Sequence, residues 1–207
     1  MNIVEKKLPV FKLFIEDGDQ TGVSYVALVD QPAIERTWQM FESQSYDFKI
    51  KDKDKQIVEG PLMIPGMPIY RRDSQGEYYV VFDAETIEKI VLKFHKMQFQ
   101  ANVNLMHDAN IKADGVFLFE SFVIDSKRGK NTPTGTNPLP DGTWYGSYKV
   151  ENPKIWEAVK AGTFKGFSVE GEFMNRPIGE NSQSKLDGLA KRIANLRAEI
   201  QELRNTL

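Results

Sequence analysis

The order of apolar and polar positions assigns much of the chain to elements. PVFKLFIED and GVSYVALVD read as strands, separated by the turn-like DGDQTG. QPAIERTWQMF carries Ile34, Trp38 and Phe41 at partial helical spacing, with Pro32 in its first turn, and predicts a short helix. KIKDKDK is a solvated charge run and reads as a surface connection. QIVEGPLMIPGMPIYRR holds three prolines and two glycines. It predicts a strand broken by a bulge or bend, and its prolines argue against a central paired position. GEYYVVFD is a further strand. Asp83 then caps AETIEKIVLKFHKMQ, where Ile87, Ile90, Val91 and Phe94 form an apolar helical stripe.

In the second half, NVNLMHD places Val103, Leu105 and His107 on one face of a strand. GVFLFESFVID is apolar on both faces and predicts a buried central strand. SKRGKNTPTGTNPLPDG is a long loop, and loops of that length are usually disordered or functional. TWYGSYKV returns as a strand. ENPKIWEAVKAG is a short helix with Ile155, Trp156 and Val159 inward and Gly162 as its stop. KGFSVEGEF puts Phe167, Val169 and Phe173 on one face and Ser168, Glu170 and Glu172 on the other. Many strands with two or three helices define an α+β fold, built as a strongly bent sheet or a small barrel.

The tail follows another rule. Leu186, Leu189, Ile193, Leu196, Ile200, Leu203 and Leu207 alternate spacings of three and four. Ile at a and Leu at d favour a parallel two-stranded coiled coil, with an amphipathic helix docked on its own domain as the competing arrangement. RPIGENSQS before it is a polar linker. The chain therefore divides into a domain over 1–175, a linker over 176–184 and a heptad helix over 185–207.

Composition narrows the chemistry. The 207 residues are 41% apolar and 11% aromatic, a folding composition. A net charge of −2 gives no electrostatic reason to expect nucleic acid or an anionic membrane surface. There is no cysteine, which excludes disulfides, thiolate metal sites and a cysteine nucleophile, and which fits a cytoplasmic protein. The N-terminus lacks the apolar core of a signal peptide, and the longest apolar stretch, VFLFESFVI, contains a glutamate and is too short to span a membrane. Only His95 and His107 can supply an imidazole, so a histidine-rich metal site is not expected.

Glu120 stands among Val116, Leu118, Phe122 and Ile124 on one predicted strand face. A buried carboxylate there needs a cationic or hydrogen-bonding partner. Arg or Lys would serve as a structural ion pair; an imidazole would make Glu120 the orienter of a catalytic base. Ser168, His107 and Glu120 together supply a nucleophile, a base and an orienting acid, the residue types of a serine hydrolase. An ordinary strand serine and a structural histidine are the plain alternatives. His95 sits on the flank of an amphipathic helix, where partial exposure explains it. Asp108 and Asp125 are other candidates for the third group, both at strand ends. Glu170 and Glu172 share the Ser168 face and either shape a substrate site or face solvent.

Taken in order, GVSYVALVDQPAIE, GPLMIPGMPIYRRD, NLMHD, FESFVID, GTWYGSYKV and IWEAVKAGTFKGFSVEGEF resemble the XkdF-like serine proteases of tailed phages and prophages. These are similar to the prohead, or capsid maturation, proteases with their herpesvirus-assemblin-like fold. The resemblance covers roughly residues 10–175. It implies a bent antiparallel β-barrel flanked by a few helices, and an endopeptidase that acts inside the procapsid in the bacterial cytoplasm. Its substrates would be scaffold, capsid-protein segments and the protease itself. By motif, it implies His107 in NLMHD as base and Ser168 in GFSVEG as nucleophile, with Glu120 in FESF as the third member. No cofactor or metal is implied. The partners implied are phage scaffold and major capsid protein, with homo-oligomerisation through the C-terminal helix and no role for nucleic acid or membrane. A non-catalytic capsid-assembly protein on the same fold is the second expectation, and a generic β-rich binding module the third.

Overall fold

The computed structural model describes residues 8–16, 20–30, 47–74 and 76–177. The helix expected over 31–41, most of the linker and the heptad helix of 185–207 lie outside the described residues. By its internal contacts the chain divides into Met1–Arg176 and Pro177–Leu207.

The strands of the first unit are β1 (Val10–Phe14), β2 (Gly22–Val29), β3 (Lys49–Asp52), β4 (Ile57–Met63), β5 (Ile69–Asp73), β6 (Gly76–Val81), β7 (Val103–Leu105), β8 (Asp108–Lys112), β9 (Val116–Val123), β10 (Trp144–Val150), β11 (Gly166–Glu172) and β12 (Met174–Pro177). Among the described residues there are two α-helices, α1 (Ala84–Lys96) and α2 (Pro153–Lys160). The strands form three four-stranded sheets, in the orders β12-β1-β6-β5, β3-β4-β10-β9 and β11-β2-β7-β8. The α+β class holds, but the barrel is corrected: each sheet keeps two open edges, whereas closure requires every strand to have two neighbours. Nor is the pairing purely antiparallel, because β1 runs parallel to β6 and β2 parallel to β7. No described helix is long and apolar enough to cross a membrane.

The core is organised by β10, paired with β4 on one side and β9 on the other. Trp144, Tyr145, Tyr148 and Val150 on this strand are all buried. Onto it α1 lays the stripe read from sequence: Ile87, Ile90, Val91 and Phe94 are buried, and the Phe94 ring meets Trp144 edge-on at 5.1 Å. Burying a side chain of that size contributes about 1.5–3 kcal/mol, which is what fixes a marginal 13-residue helix in place. Asp83 starts it by accepting the Thr86 N–H at 2.9 Å and pairing with Lys12. Partial burial pushes the Asp83 carboxyl up, but hydrogen bonds from Lys12 and Thr86 outweigh it and bring it down to about 2. Asn152 caps α2 in the same way, and Ile155, Trp156 and Val159 face inward as expected.

Four local expectations change. The charge run KIKDKDK is in part the short edge strand β3. Pro61 lies inside β4, flanked in the sheet order by β3 and β10. It is tolerated because β3 pairs only with Ile57–Glu59, and the β4–β10 ladder slips in register beside it. GVFLFESFVID supplies β9, an edge strand rather than a central one. The loop before β10 is ordered: Thr132 Oγ1 accepts the Leu139 N–H at 3.0 Å, and Leu139 is buried with Ile64, Ile124 and Tyr145.

Candidate active site

Ser168 is set by the alternation of β11. Phe167 turns into the core, its ring 4.6 Å from Tyr148 and 5.1 Å from Phe48. The next side chain must face the other way, and Ser168 does so while remaining 5% exposed. In register, Ser168 lies opposite Ala27 of β2, and Ala27 lies opposite Asn104 of β7. Nucleophile candidate and amide thus stand on one face of one sheet, with an alanine between them.

His107 arrives differently from the sequence reading. β7 stops at Leu105, and Met106 and His107 form a two-residue hairpin turn into β8, with φ of 56° and 62°. Two successive left-handed residues make a type I′ turn, which usually takes Asn-Gly. Each non-glycine residue there costs about 1–2 kcal/mol. The Met106 N–H anchors the turn to the Leu28 carbonyl at 2.9 Å. The turn carries the imidazole over the Ser168 face, where His107 Nδ1 lies 2.9 Å from Glu170 Oε1. The same carboxylate oxygen accepts the Asn104 Nδ2–H at 2.8 Å.

Ser168, His107 and Glu170 line one cavity of about 570 Å³. Its far walls are largely apolar, with Leu62 and Met63 from β4 and Val80 from β6; Arg71 of β5 and Tyr78 of β6 add polarity. No hydrogen bond joins Ser168 to His107 among the described residues; bonds of this kind commonly tighten only around substrate. Among the described strands β11 is an edge of its sheet, and Phe167, Ser168, Val169 and Glu170 on it line the cavity. The Val26 N–H bonds to Asn102 and the Leu28 carbonyl to Met106, so alternation directs Ala27 toward Ser168. The main-chain groups of Phe167 and Val169 consequently turn away from β2, along the open edge.

The site does not include Glu120. Its predicted burial is corrected: the β9–β10 register slips between the Glu120–Ser147 and Leu118–Tyr148 pairs, so Phe119 is an extra residue. That bulge breaks the alternation and leaves both Phe119 and Glu120 exposed. Glu120 Oε2 accepts the Ser147 hydroxyl at 3.4 Å and is not among the residues lining the Ser168 cavity. Asp108 accepts from the Asn110 N–H at 2.9 Å, Asp125 pairs with Arg128 at 2.7 Å, and Glu172 is exposed.

His95 belongs to a second serine–histidine contact. Its Nε2 lies 3.1 Å from Ser121 Oγ, which also accepts the Trp144 Nε1–H at 2.8 Å, and its Nδ1 lies 3.1 Å from Gln100. Burial pushes the His95 imidazole below its ordinary range. This network ties α1 to β9 and β10 and lines none of the principal cavities, so it reads as structural. Among the described residues no group of His, Asp and Glu could hold a metal ion.

Sequence reasoning put Glu170 on the Ser168 face, to shape a substrate site or face solvent, and did not pair it with His107. The signal for it was the Ser-x-Glu spacing, which at a period of two puts both side chains on one face. Asn104 carried no chemical signal of its own.

A serine and a carboxylate-bound histidine at one cavity on an open-sheet α+β scaffold are the features of a hydrolase site. The family model described as "Putative phage serine protease XkdF" matches residues 47–175. The chain belongs to that family. The matched span contains Asn104, His107, Glu120, Ser168 and Glu170. No curated protein and no solved structure matches the chain.

Proposed function

We propose that the chain is a serine endopeptidase of phage capsid maturation, with Ser168 as nucleophile, His107 as base and Glu170 in the role that the motif resemblance gave to Glu120. The observation that carries this reading is the 2.9 Å contact of His107 Nδ1 with Glu170 at the cavity that Ser168 lines. A carboxylate on Nδ1 keeps that nitrogen protonated in the neutral imidazole and leaves Nε2 as the acceptor. Ser168 Oγ attacks the scissile carbonyl carbon while its proton passes to Nε2. The C–N bond then breaks as the imidazolium returns that proton to the leaving amine. Water hydrolyses the acyl-serine by the same path in reverse. Glu170 stabilises the transient imidazolium. The chemistry uses neither metal nor cofactor.

The open edge of β11 beside a largely apolar cavity suits an extended polypeptide better than a small ester. Family membership directs the proposal to phage assembly: scaffold and capsid-protein segments, and the chain itself, are the substrates, cut inside the procapsid in the bacterial cytoplasm. Residues 185–207, with their heptad spacing, would hold copies of the chain together. The test is intact-mass analysis after co-expression with the phage's scaffold and capsid proteins, wild type against Ser168→Ala. Defined fragments that disappear in the folded variant establish the endopeptidase. Identical masses in assembled shells would overturn it in favour of a non-catalytic assembly protein.

A further inference from the structure

We infer that Asn104 is a positioning residue: it pins the Glu170 carboxylate and thereby fixes His107 as the tautomer that a base for Ser168 requires. This rests on the proteolytic reading above. Asn104 Nδ2 and His107 Nδ1 converge on the same atom, Glu170 Oε1, at 2.8 and 2.9 Å. Glutamate has three rotatable side-chain bonds and is 28% exposed here, so the His107 contact alone leaves it free to swing into solvent. Asn104 does not share that freedom. It is 1% exposed on β7, paired between β2 and β8, in the row that carries Ala27 and Ser168.

The amide can bind in only one orientation. Turned over, Oδ1 would face the carboxylate oxygen and repel it, so the Glu170 charge itself sets the amide. In the observed orientation Oδ1 is buried with no hydrogen-bond partner among the described residues. A buried orphan acceptor destabilises a fold, and an apolar residue of similar size would avoid it. Stability therefore gives no reason for asparagine at 104, whereas a fixed donor to Glu170 does. With Oε1 held, the His107 proton stays on Nδ1 and Nε2 remains open toward the cavity. Without that hold, the imidazole is free to adopt the Nε2–H form, which cannot accept the serine proton.

The tautomer can be read directly from the imidazole nitrogen shifts in long-range ¹H–¹⁵N spectra of the full chain, at a pH of about 8, above the ordinary histidine range. There are two histidines to assign, and His95→Gln separates them. Wild-type His107 is expected as the Nδ1–H form. In Asn104→Leu, which removes the donor, the signal should move toward Nε2–H. The rate at which a fluorophosphonate labels Ser168 should fall about ten-fold or more, the direction of a wrong-tautomer penalty. Wild-type His107 found as Nε2–H overturns the inference whatever the variants do. So does a folded Asn104→Leu chain with unchanged shifts and labelling. Failure of the proteolytic reading looks different: wild-type Ser168 would not label, while the His107 shifts still responded to residue 104.

Discussion

The assignment of Glu170 rather than Glu120 can be decided by two isosteric substitutions. Glu170→Gln keeps the shape and an acceptor for His107 but removes the charge opposite the imidazolium. The contact is 2.9 Å long and the glutamate is partly buried, so a charged hydrogen bond here is worth about 1.5–3 kcal/mol. In the proposed mechanism the imidazolium forms as His107 takes the serine proton, so that energy falls on the barrier. At about 1.4 kcal/mol per factor of ten, the loss is about 10–150-fold in rate. Glu120 is exposed, and its one acceptor contact, to Ser147, is 3.4 Å long. Surface substitutions of this kind stay within about 0.5 kcal/mol, or about two-fold.

The assay is the second-order rate of fluorophosphonate labelling at Ser168, followed by intact mass, with processing of co-expressed capsid protein as a second readout. Circular dichroism and thermal melting check that each variant is folded. A ten-fold loss in Glu120→Gln with Glu170→Gln unaffected would refute the geometric argument and return the third role to Glu120.

Three further outcomes rest on particular contacts. Tyr148→Phe should stabilise the chain by about 1–2 kcal/mol in urea unfolding, because it removes a fully buried hydroxyl that has no partner; a loss of stability would mean that the hydroxyl is bonded. Partial burial holds the His95 imidazole below its ordinary value of 6.5, so as pH falls below that value the unfolded chain takes up the proton first. Stability is therefore full above about 6.5 and falls as pH drops through the folded-state value; the slope of melting temperature against pH between about 7.5 and 5 should flatten in His95→Gln, and an unchanged slope counts against the partly buried Ser121 network. Gly171→Ala would drive its Cβ into the Gly22 carbonyl across the β11–β2 ladder; it should cost about 1–3 kcal/mol and slow Ser168 labelling, and a wild-type melting curve would show that the strands are not so closely held.

Local elements were legible in the sequence because their causes are local. Asp83 announces α1, Gly162 ends α2, and the stripes at Ile87–Phe94 and Ile155–Val159 say which face is buried. β11 follows from alternation alone. Pairing between distant strands is not encoded locally, so the three open sheets and the two parallel ladders were not foreseen. The Glu120 error has a specific source: one extra residue at Phe119 reverses the faces that a strict period of two assigns. The His107 hairpin was hidden because Met-His lacks the Asn or Gly that marks a type I′ turn. Ser168 and His107 could be singled out by residue type, and Glu170 by its face. Asn104 could not, since its significance lies entirely in which atom it touches.

That unmarked turn also accounts for the shape of the site. β7 and β11 are separated by β2, which puts them about 9–10 Å apart at ordinary strand spacing. Asn104 of β7 meets Glu170 only because the long glutamate side chain reaches back across that gap to it, at 2.8 Å. The left-handed turn at Met106 and His107 brings the imidazole back over the sheet, and Glu170 comes to meet it from the other side. They can meet only if the strand beneath is low. β2 carries Val26, Leu28 and Val29, all buried, yet the residue facing both Ser168 and Asn104 is Ala27. A branched side chain there would occupy the space between Ser168, Asn104 and the His107–Glu170 pair. The backbone strain at Met106 and His107 and the small residue at 27 are thus two halves of one arrangement. The first lifts the histidine across the sheet, and the second leaves room for it to arrive.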